Sequence, residues 1–319
     1  MRKEQILLCW IICGWAAIIL SGCLKPAQSI IQMVEQRQSV QATFTPFLPV
    51  APTATPQPSP TVTVLPSPTA IVMPSPTAVP CSGEQGWMEQ HTRAEGAPLD
   101  FRIYLPPCYG KLEEVVYPVL YILHGQTYKD DQWDRLGMDE AAEALIRAGE
   151  APPFLIVMPL EANTLADPFE TLFGTHLAEE LVPWIDAQYA TCPERECRAI
   201  GGLSRGGAWA LNTGFRYWEL FGAIGLHSTP PFLNDPYRLT DWLRAIPDGQ
   251  LPRLWLDTGK LDWYLKITTE FEGLLVNNNV PHEWYLFNGT HDEAYWAAHV
   301  DEYLAWYSAP WQERFPNLP

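Results

Sequence analysis

The sequence predicts an α/β domain: a mostly parallel central sheet with helices on both faces, preceded by a disordered linker. Three observations carry this expectation. Short runs of Val, Ile, Leu and aromatic residues recur, amphipathic stretches of helical length separate them, and several runs are apolar throughout. A strand buried on both faces needs that last property, because neither side of its pleat meets water. Strands are expected at Phe101–Leu105, Pro118–Leu123, Phe154–Met158, Arg198–Leu203, Ala223–Leu226, Leu254–Asp257 and Glu283–Phe287. Helices are expected at Met138–Ala148, Phe173–Gln188, Ala208–Tyr217 and Tyr264–Asn277, with a last one over Ala294–Trp306. Strand and helix alternate without an internal repeat, the pattern of one α/β domain.

Of the 319 residues, 47 % are hydrophobic, enough for a sizeable core, and the formal net charge is −17. That balance excludes a nucleic-acid binder, which needs a basic footprint, and disfavours strongly anionic substrates. Before Cys81 lie only four basic and two acidic residues, so the remainder carries 16 basic and 35 acidic residues, net −19. The acidity belongs to the folded part.

Residues 1–22 read as an address. Met1-Arg2-Lys3 is positive, and Ile6–Leu20 is almost uninterrupted apolar sequence, short for a membrane span and typical of a signal-peptide core. Leu20-Ser21-Gly22-Cys23 follows at once and resembles the lipobox of bacterial lipoproteins, in which the Cys is lipidated after cleavage. An uncleaved anchor is the plainer alternative. Residues 23–80 then form a Pro/Ser/Thr-rich linker with no charge between Arg37 and Glu84. Proline removes backbone donors and blocks helix, so the richest stretch, 40–80, should be extended, roughly 100–120 Å long at ~3 Å per residue. The expected location is the cell envelope, outside the cytoplasm, with Cys23 holding the chain to a membrane.

Residues 81–319 are the expected folded domain. Its four cysteines, Cys81, Cys108, Cys192 and Cys197, favour disulfides in an exported chain. Cys192-Pro-Glu-Arg-Glu-Cys197 can close a short loop, leaving Cys81 for Cys108; the other two pairings stay formally open. A zinc site is the weaker option, since no CxxC pair or nearby His accompanies the cysteines.

The most informative segment is Arg198-Ala-Ile-Gly-Gly-Leu-Ser204-Arg-Gly-Gly207. It is a strand running into Gly202-x-Ser204-x-Gly206 and then a helix. The glycines let the helix start almost on top of the strand, which strains the serine backbone and lifts its hydroxyl to the sheet edge. A serine hydroxyl is a poor nucleophile and needs a base, which needs an orienting acid. His291 is the candidate base, on a loop between the last strand and last helix. His282 starts a strand and His299 falls in a helix. For the acid, Asp262 follows a glycine turn, while Asp257 stands at the strand's end; Asp262 is preferred and Asp257 kept as alternative. Oxyanion donors are expected from the backbone N–H groups of Arg205 and of Gln126, after Tyr121-Ile-Leu-His124-Gly125. His124 is expected to brace that loop. Trp263, beside the acid, and Trp133, after the oxyanion loop, are pocket candidates among the domain's 12 Trp.

Tyr117–Gly125, Arg198–Gly207 and Gly289-Thr-His291-Asp292 followed by Trp296 resemble the esterase D-like family of α/β hydrolases. That family includes feruloyl and acetyl-xylan esterases, S-formylglutathione hydrolase, enterochelin esterases and mycolyltransferases. The similarity spans about Leu99 to Tyr307 and is greatest with bacterial feruloyl esterase domains. It implies an α/β-hydrolase fold with nucleophile, acid and base at Ser204, Asp262 and His291. Two departures stand out: Arg205 occupies a place where the family often has Met, and Cys192 and Cys197 flank a loop that usually lacks cysteine.

The expected activity is serine carboxylic ester hydrolysis, with feruloyl or acetyl esters of carbohydrates as substrates and no metal or organic cofactor, since HExxH, P-loop and dinucleotide motifs are missing from the sequence. An acyltransferase with the same three residues, a serine peptidase, and a lipid-anchored binding protein without turnover are the alternatives.

Overall fold

The computed structural model describes residues 84–111 and 114–316. The signal (1–22), Cys23, the linker (23–80) and Cys81 lie outside the described residues. Within them the chain runs β1 (Trp87–His91), β2 (Phe101–Leu105), β3 (Val119–Leu123), α1 (Gln132–Arg135), α2 (Met138–Ala148) and β4 (Leu155–Pro159). Then α3 (Phe173–His176) passes through a π-turn at Leu177–Leu181 into α4 (Val182–Gln188). Next come β5 (Arg198–Leu203), α5 (Arg205–Arg216), β6 (Ala223–His227), α6 (Asp235–Ala245), β7 (Arg253–Gly259) and α7 (Leu265–Asn277). The last elements are β8 (Glu283–Phe287), α8 (Glu293–Ala297) and α9 (Val300–Arg314).

The eight strands form one sheet in the order β1-β2-β4-β3-β5-β6-β7-β8. From β4 to β8 neighbours are parallel; only β1–β2 and β2–β4 are antiparallel. The pleat explains how fully apolar strands serve two cores. Val119, Tyr121 and Leu123 of β3 face one cluster with Leu181 of the π-turn and Ile185, Trp209 and Phe215 from α4 and α5. Leu120 and Ile122 face the other, with Met138, Tyr303, Tyr307 and Trp311 from α2 and α9.

Several elements differ from the sequence expectation for physical reasons. β1 is a half-exposed edge strand of mixed polarity, WMEQH, held by its register on β2. α6 opens on Asp235-Pro236 and buries Leu239 and Trp242 while Tyr237 faces solvent. Pro fits the first helical turn, where its missing N–H has no partner to lose. The expected last helix is two: Asp292 caps α8 by accepting from the Tyr295 N–H, and the chain restarts at Val300 as α9. The π-turn has its own cause, since Pro183 offers no N–H to the carbonyl one turn back.

Cys192 and Cys197 are joined as a disulfide, closing the short loop ahead of β5. Their sulfurs are therefore not thiolate ligands. Cys108 is disulfide-bonded too.

Candidate active site

Strand β5 ends at Leu203 and α5 begins at Arg205, so Ser204 alone makes the turn, at φ 52° and ψ −118°. A non-glycine residue held there stores strain of order 1–3 kcal/mol, which the surroundings must over-determine. Close packing does so. A Cβ on Gly202 would lie 2.4 Å from the Gly206 carbonyl carbon, and one on Gly206 would lie 2.2 Å from the Leu123 carbonyl oxygen. No side chain fits either place, which is why the turn needs both glycines. The Ser204 N–H donates to the His227 carbonyl at 2.9 Å, tying the turn to β6.

His291 lies on the loop after β8, and its Nε2 is 2.9 Å from Ser204 Oγ. Its Nδ1 is 2.9 Å from Asp262 Oδ2. Asp262 also accepts from the Tyr264 N–H at 2.7 Å and from Thr258 Oγ1 at 3.2 Å. Burial pushes the Asp262 carboxyl up, but the hydrogen bonds from His291 and the Tyr264 N–H outweigh it, and the net shift is downward. The loops bearing acid and base are laced together: Lys260 N–H donates to Phe287 O and Leu261 N–H to Gly289 O, both at 2.9 Å. Rings of Trp263, Tyr264 and Trp296 surround the His291 imidazole, each centroid 5.0 Å away.

Asp257, the alternative acid, is elsewhere. It is fully buried and accepts from His227 Nδ1 (2.8 Å), Trp255 Nε1 (2.8 Å), Tyr295 OH (2.6 Å) and Tyr303 OH (3.0 Å). Trp133 is a correction: it lies in the core, 1 % exposed, with its indole N–H on the Leu123 carbonyl at 2.9 Å. Its large apolar ring fills the space between β3 and α9, beside Tyr303, and does not line the cleft. Trp263 is 69 % exposed and lines the cleft.

Gln126 and Arg205 flank Ser204, as an oxyanion site would require. Among the described residues, no hydrogen bond engages the N–H of either. The preceding N–H, of Gly125, is already taken by Gln132 Oε1 at 2.8 Å. Gln132 is completely buried and escaped the sequence reading, since a lone Gln between Asp131 and Trp133 carries no pattern. His124 bonds the Gly125 carbonyl through Nδ1 (2.9 Å) and accepts the Glu161 N–H at Nε2 (3.0 Å). These partners assign a neutral ring, and burial lowers its pKa in the same sense.

Glu161 also escaped the sequence reading. Its carboxylate takes both Nε (2.8 Å) and Nη2 (2.6 Å) of Arg205, in a pair whose side chains are only 5 % and 11 % exposed. Removing one member of such a buried pair costs about 3–5 kcal/mol, because the other charge stays stranded. The Arg205 charge is thus committed to Glu161.

Two clefts meet at Ser204. One, of about 540 Å³, is lined by His291, Trp263, Trp296, Tyr128 and Glu293. The other, of about 560 Å³, is lined by Leu165, Phe169, Pro231, Phe232, Leu233 and Arg205. Ser204, Gln126 and Tyr264 border both.

A serine on a strained strand–helix turn, followed in the chain by an aspartate and a histidine on loops of the same sheet edge, defines the α/β-hydrolase fold. The sequence profile of the family described as "Putative esterase" matches residues 93–307, and the chain belongs to that family. It is 32 % identical over 158 residues to an esterase of Mycobacterium tuberculosis, covering 46 % of this chain and 33 % of that one. It is 31 % identical over 168 residues to an endo-1,4-beta-xylanase/feruloyl esterase of Xylanibacter ruminicola, covering 47 % and 22 %. The chain therefore spans a third or less of the length of these curated relatives. A solved ferulic acid esterase superposes with a TM-score of 0.61 at 24 % identity, over 71 % of this chain and 99 % of that one. That likeness is one of fold.

Proposed function

We propose that this chain is a serine hydrolase of carboxylic esters. The observation that carries the reading is the continuous relay Ser204–His291–Asp262, with 2.9 Å at each step. In the reaction, Ser204 Oγ bonds to the ester carbonyl carbon as its proton passes to His291 Nε2. The carbonyl oxygen becomes the oxyanion and takes the N–H groups of Gln126 and Arg205, helped by the positive end of α5. The C–O bond to the alcohol then breaks, and His291 returns the proton to the departing oxygen. Water repeats the cycle on the acyl-enzyme. Asp262 stays ionised throughout, holding His291 in the tautomer whose Nε2 is free to accept.

Substrates in this reading are neutral feruloyl or acetyl esters of carbohydrates. Support comes from the acidic domain, the aromatic wall formed by Trp263, Trp296 and Tyr128, and the feruloyl and acetyl esterases among its relatives. The enzyme works outside the cytoplasm, tethered to a membrane through Cys23 and spaced from it by the Pro-rich linker. The Cys192–Cys197 disulfide fits an oxidising compartment.

The test is turnover of short-chain aryl, acetyl-sugar and feruloyl esters by residues 81–319 and by Ser204→Ala. Loss on the order of a millionfold in kcat is expected for the variant. Equal turnover by both would remove Ser204 as nucleophile.

A further inference from the structure

The two clefts that meet at Ser204 are chemically unequal, and the proton transfers of the proposed hydrolysis decide which half of an ester each receives. His291 must protonate the departing alcohol, so the alcohol lies on the His291 side, against Trp263 and Trp296. The acyl group then extends the other way, between Leu165–Phe169 and Pro230–Leu233.

Arg205 joins those two walls. On one side it forks onto Glu161 and donates Nη2 to the Ala166 carbonyl at 3.0 Å. On the other its guanidinium lies 5.5 Å from the centre of the Phe232 ring. A planar cation can make both contacts at once, whereas an ammonium or a thioether cannot. The same loop is stitched to the loop after β3 that carries the Gln126 N–H, since Thr164 receives the Gln126 side-chain amide at 3.3 Å and the Thr127 N–H at 3.1 Å. Glu161 matters for charge as well as shape. It cancels the one cation among the described residues that line this cleft, and Asp167, also in the lining, adds a negative charge.

We infer that the Arg205–Glu161 pair is the specificity device of the acyl cleft. It fixes the spacing of two apolar walls and neutralises the floor, so the cleft selects bulky uncharged acyl groups over both acetyl and anionic ones. The inference rests on the ester-hydrolase reading above.

The experiment keeps the alcohol constant and varies the acyl group: para-nitrophenyl acetate, 3-phenylpropanoate and hydrogen succinate, assayed with residues 81–319. The wild type is expected to favour phenylpropanoate and to turn over the succinate monoester poorest. In Glu161→Gln the guanidinium is no longer neutralised. The succinate-to-acetate ratio of kcat/KM should then rise roughly tenfold, and the phenylpropanoate-to-acetate ratio should fall by a similar factor. A merely structural role would lower all three together. Arg205→Lys keeps the charge but loses the fork, so it should lower the phenylpropanoate ratio. Leu233→Asp alters the cleft wall at a residue 81 % exposed, where folding is not at risk, and should lower the phenylpropanoate ratio as well. Unmoved ratios in Glu161→Gln and Leu233→Asp, with the wild type active, overturn the inference and leave the hydrolase reading intact. Absence of wild-type turnover on every ester overturns the hydrolase reading, and the inference with it.

Discussion

Two histidine–aspartate pairs stand near the C-terminal edge of the sheet, and only one of them reaches a serine. His291–Asp262 and His227–Asp257 have almost the same Nδ1–carboxylate distance, 2.9 Å and 2.8 Å. Their other contacts separate them. His291 offers Nε2 to Ser204 at the floor of an open cleft, while His227 offers Nε2 to Tyr307 OH at 3.0 Å inside the core. Asp257 is sealed by four side-chain donors, whereas Asp262 holds its histidine, one hydroxyl and one backbone N–H. A hydrogen-bonded His–Asp pair is thus not by itself a relay. What the far nitrogen meets decides the chemistry.

Exchanging the carboxylates for amides should separate the two pairs most strongly. Asp262→Asn should lower kcat on the order of 10,000-fold with the fold retained, because the amide favours the wrong histidine tautomer. Asp257→Asn should instead cost about 3 kcal/mol of stability, as a buried site built for an anion loses its charge. The molecules that remain folded should keep kcat within roughly tenfold of wild type. Ester kinetics and urea unfolding on both variants check this, and the reverse pattern would make Asp257 the acid.

Tyr295 tests how far the buried pair supports the pair proposed to act on Ser204. Its hydroxyl donates to Asp257 while its backbone N–H donates to the capping side chain of Asp292, one residue after His291. Tyr295→Phe leaves the cap and removes one of four donors to Asp257. A stability loss of about 1–2 kcal/mol is expected, measured by urea unfolding. A change in kcat far larger than that loss accounts for would mean that the buried network sets the position of His291.

Sequence made the centre of this fold legible and its margins less so. Strands β3 to β8 announce themselves because a two-sided core demands unbroken apolar runs, and the strand–Gly-x-Ser-x-Gly–helix turn is local in the chain. The choice of Asp262 over Asp257 followed from loop placement, because acid and base must reach over the sheet edge. β1 and α6 were illegible for opposite reasons: one is a polar edge, and the other shows only a thin apolar stripe, Leu239 and Trp242. Trp133 was misread because position after a loop does not say which way an indole turns. Gln132 and Glu161 had no local signature: Gln132 bonds the Gly125 N–H on the loop just before it and Glu293 across the fold, and Glu161 bonds Arg205 on another element.

The smallest expected effect concerns the protonation of Asp262, the proposed acid. The folded-state pKa of Asp262 lies below its usual value, against the burial that raises it, because His291 and the Tyr264 N–H favour the anion. A lowered pKa means that Asp262 contributes stability at pH values above its unfolded pKa of about 3.9. That contribution disappears as pH falls through the lower folded value, where the native carboxylate also takes a proton. Asp262→Asn has no such titration. The stability gap between wild type and Asp262→Asn, from urea unfolding, should therefore be larger at pH 6 than at pH 3. The same gap at both pH values would mean that the anion is not what the surrounding donors stabilise. Asp262 would then be a neutral spacer, and its likeness to the sealed Asp257 would be closer than the contacts imply.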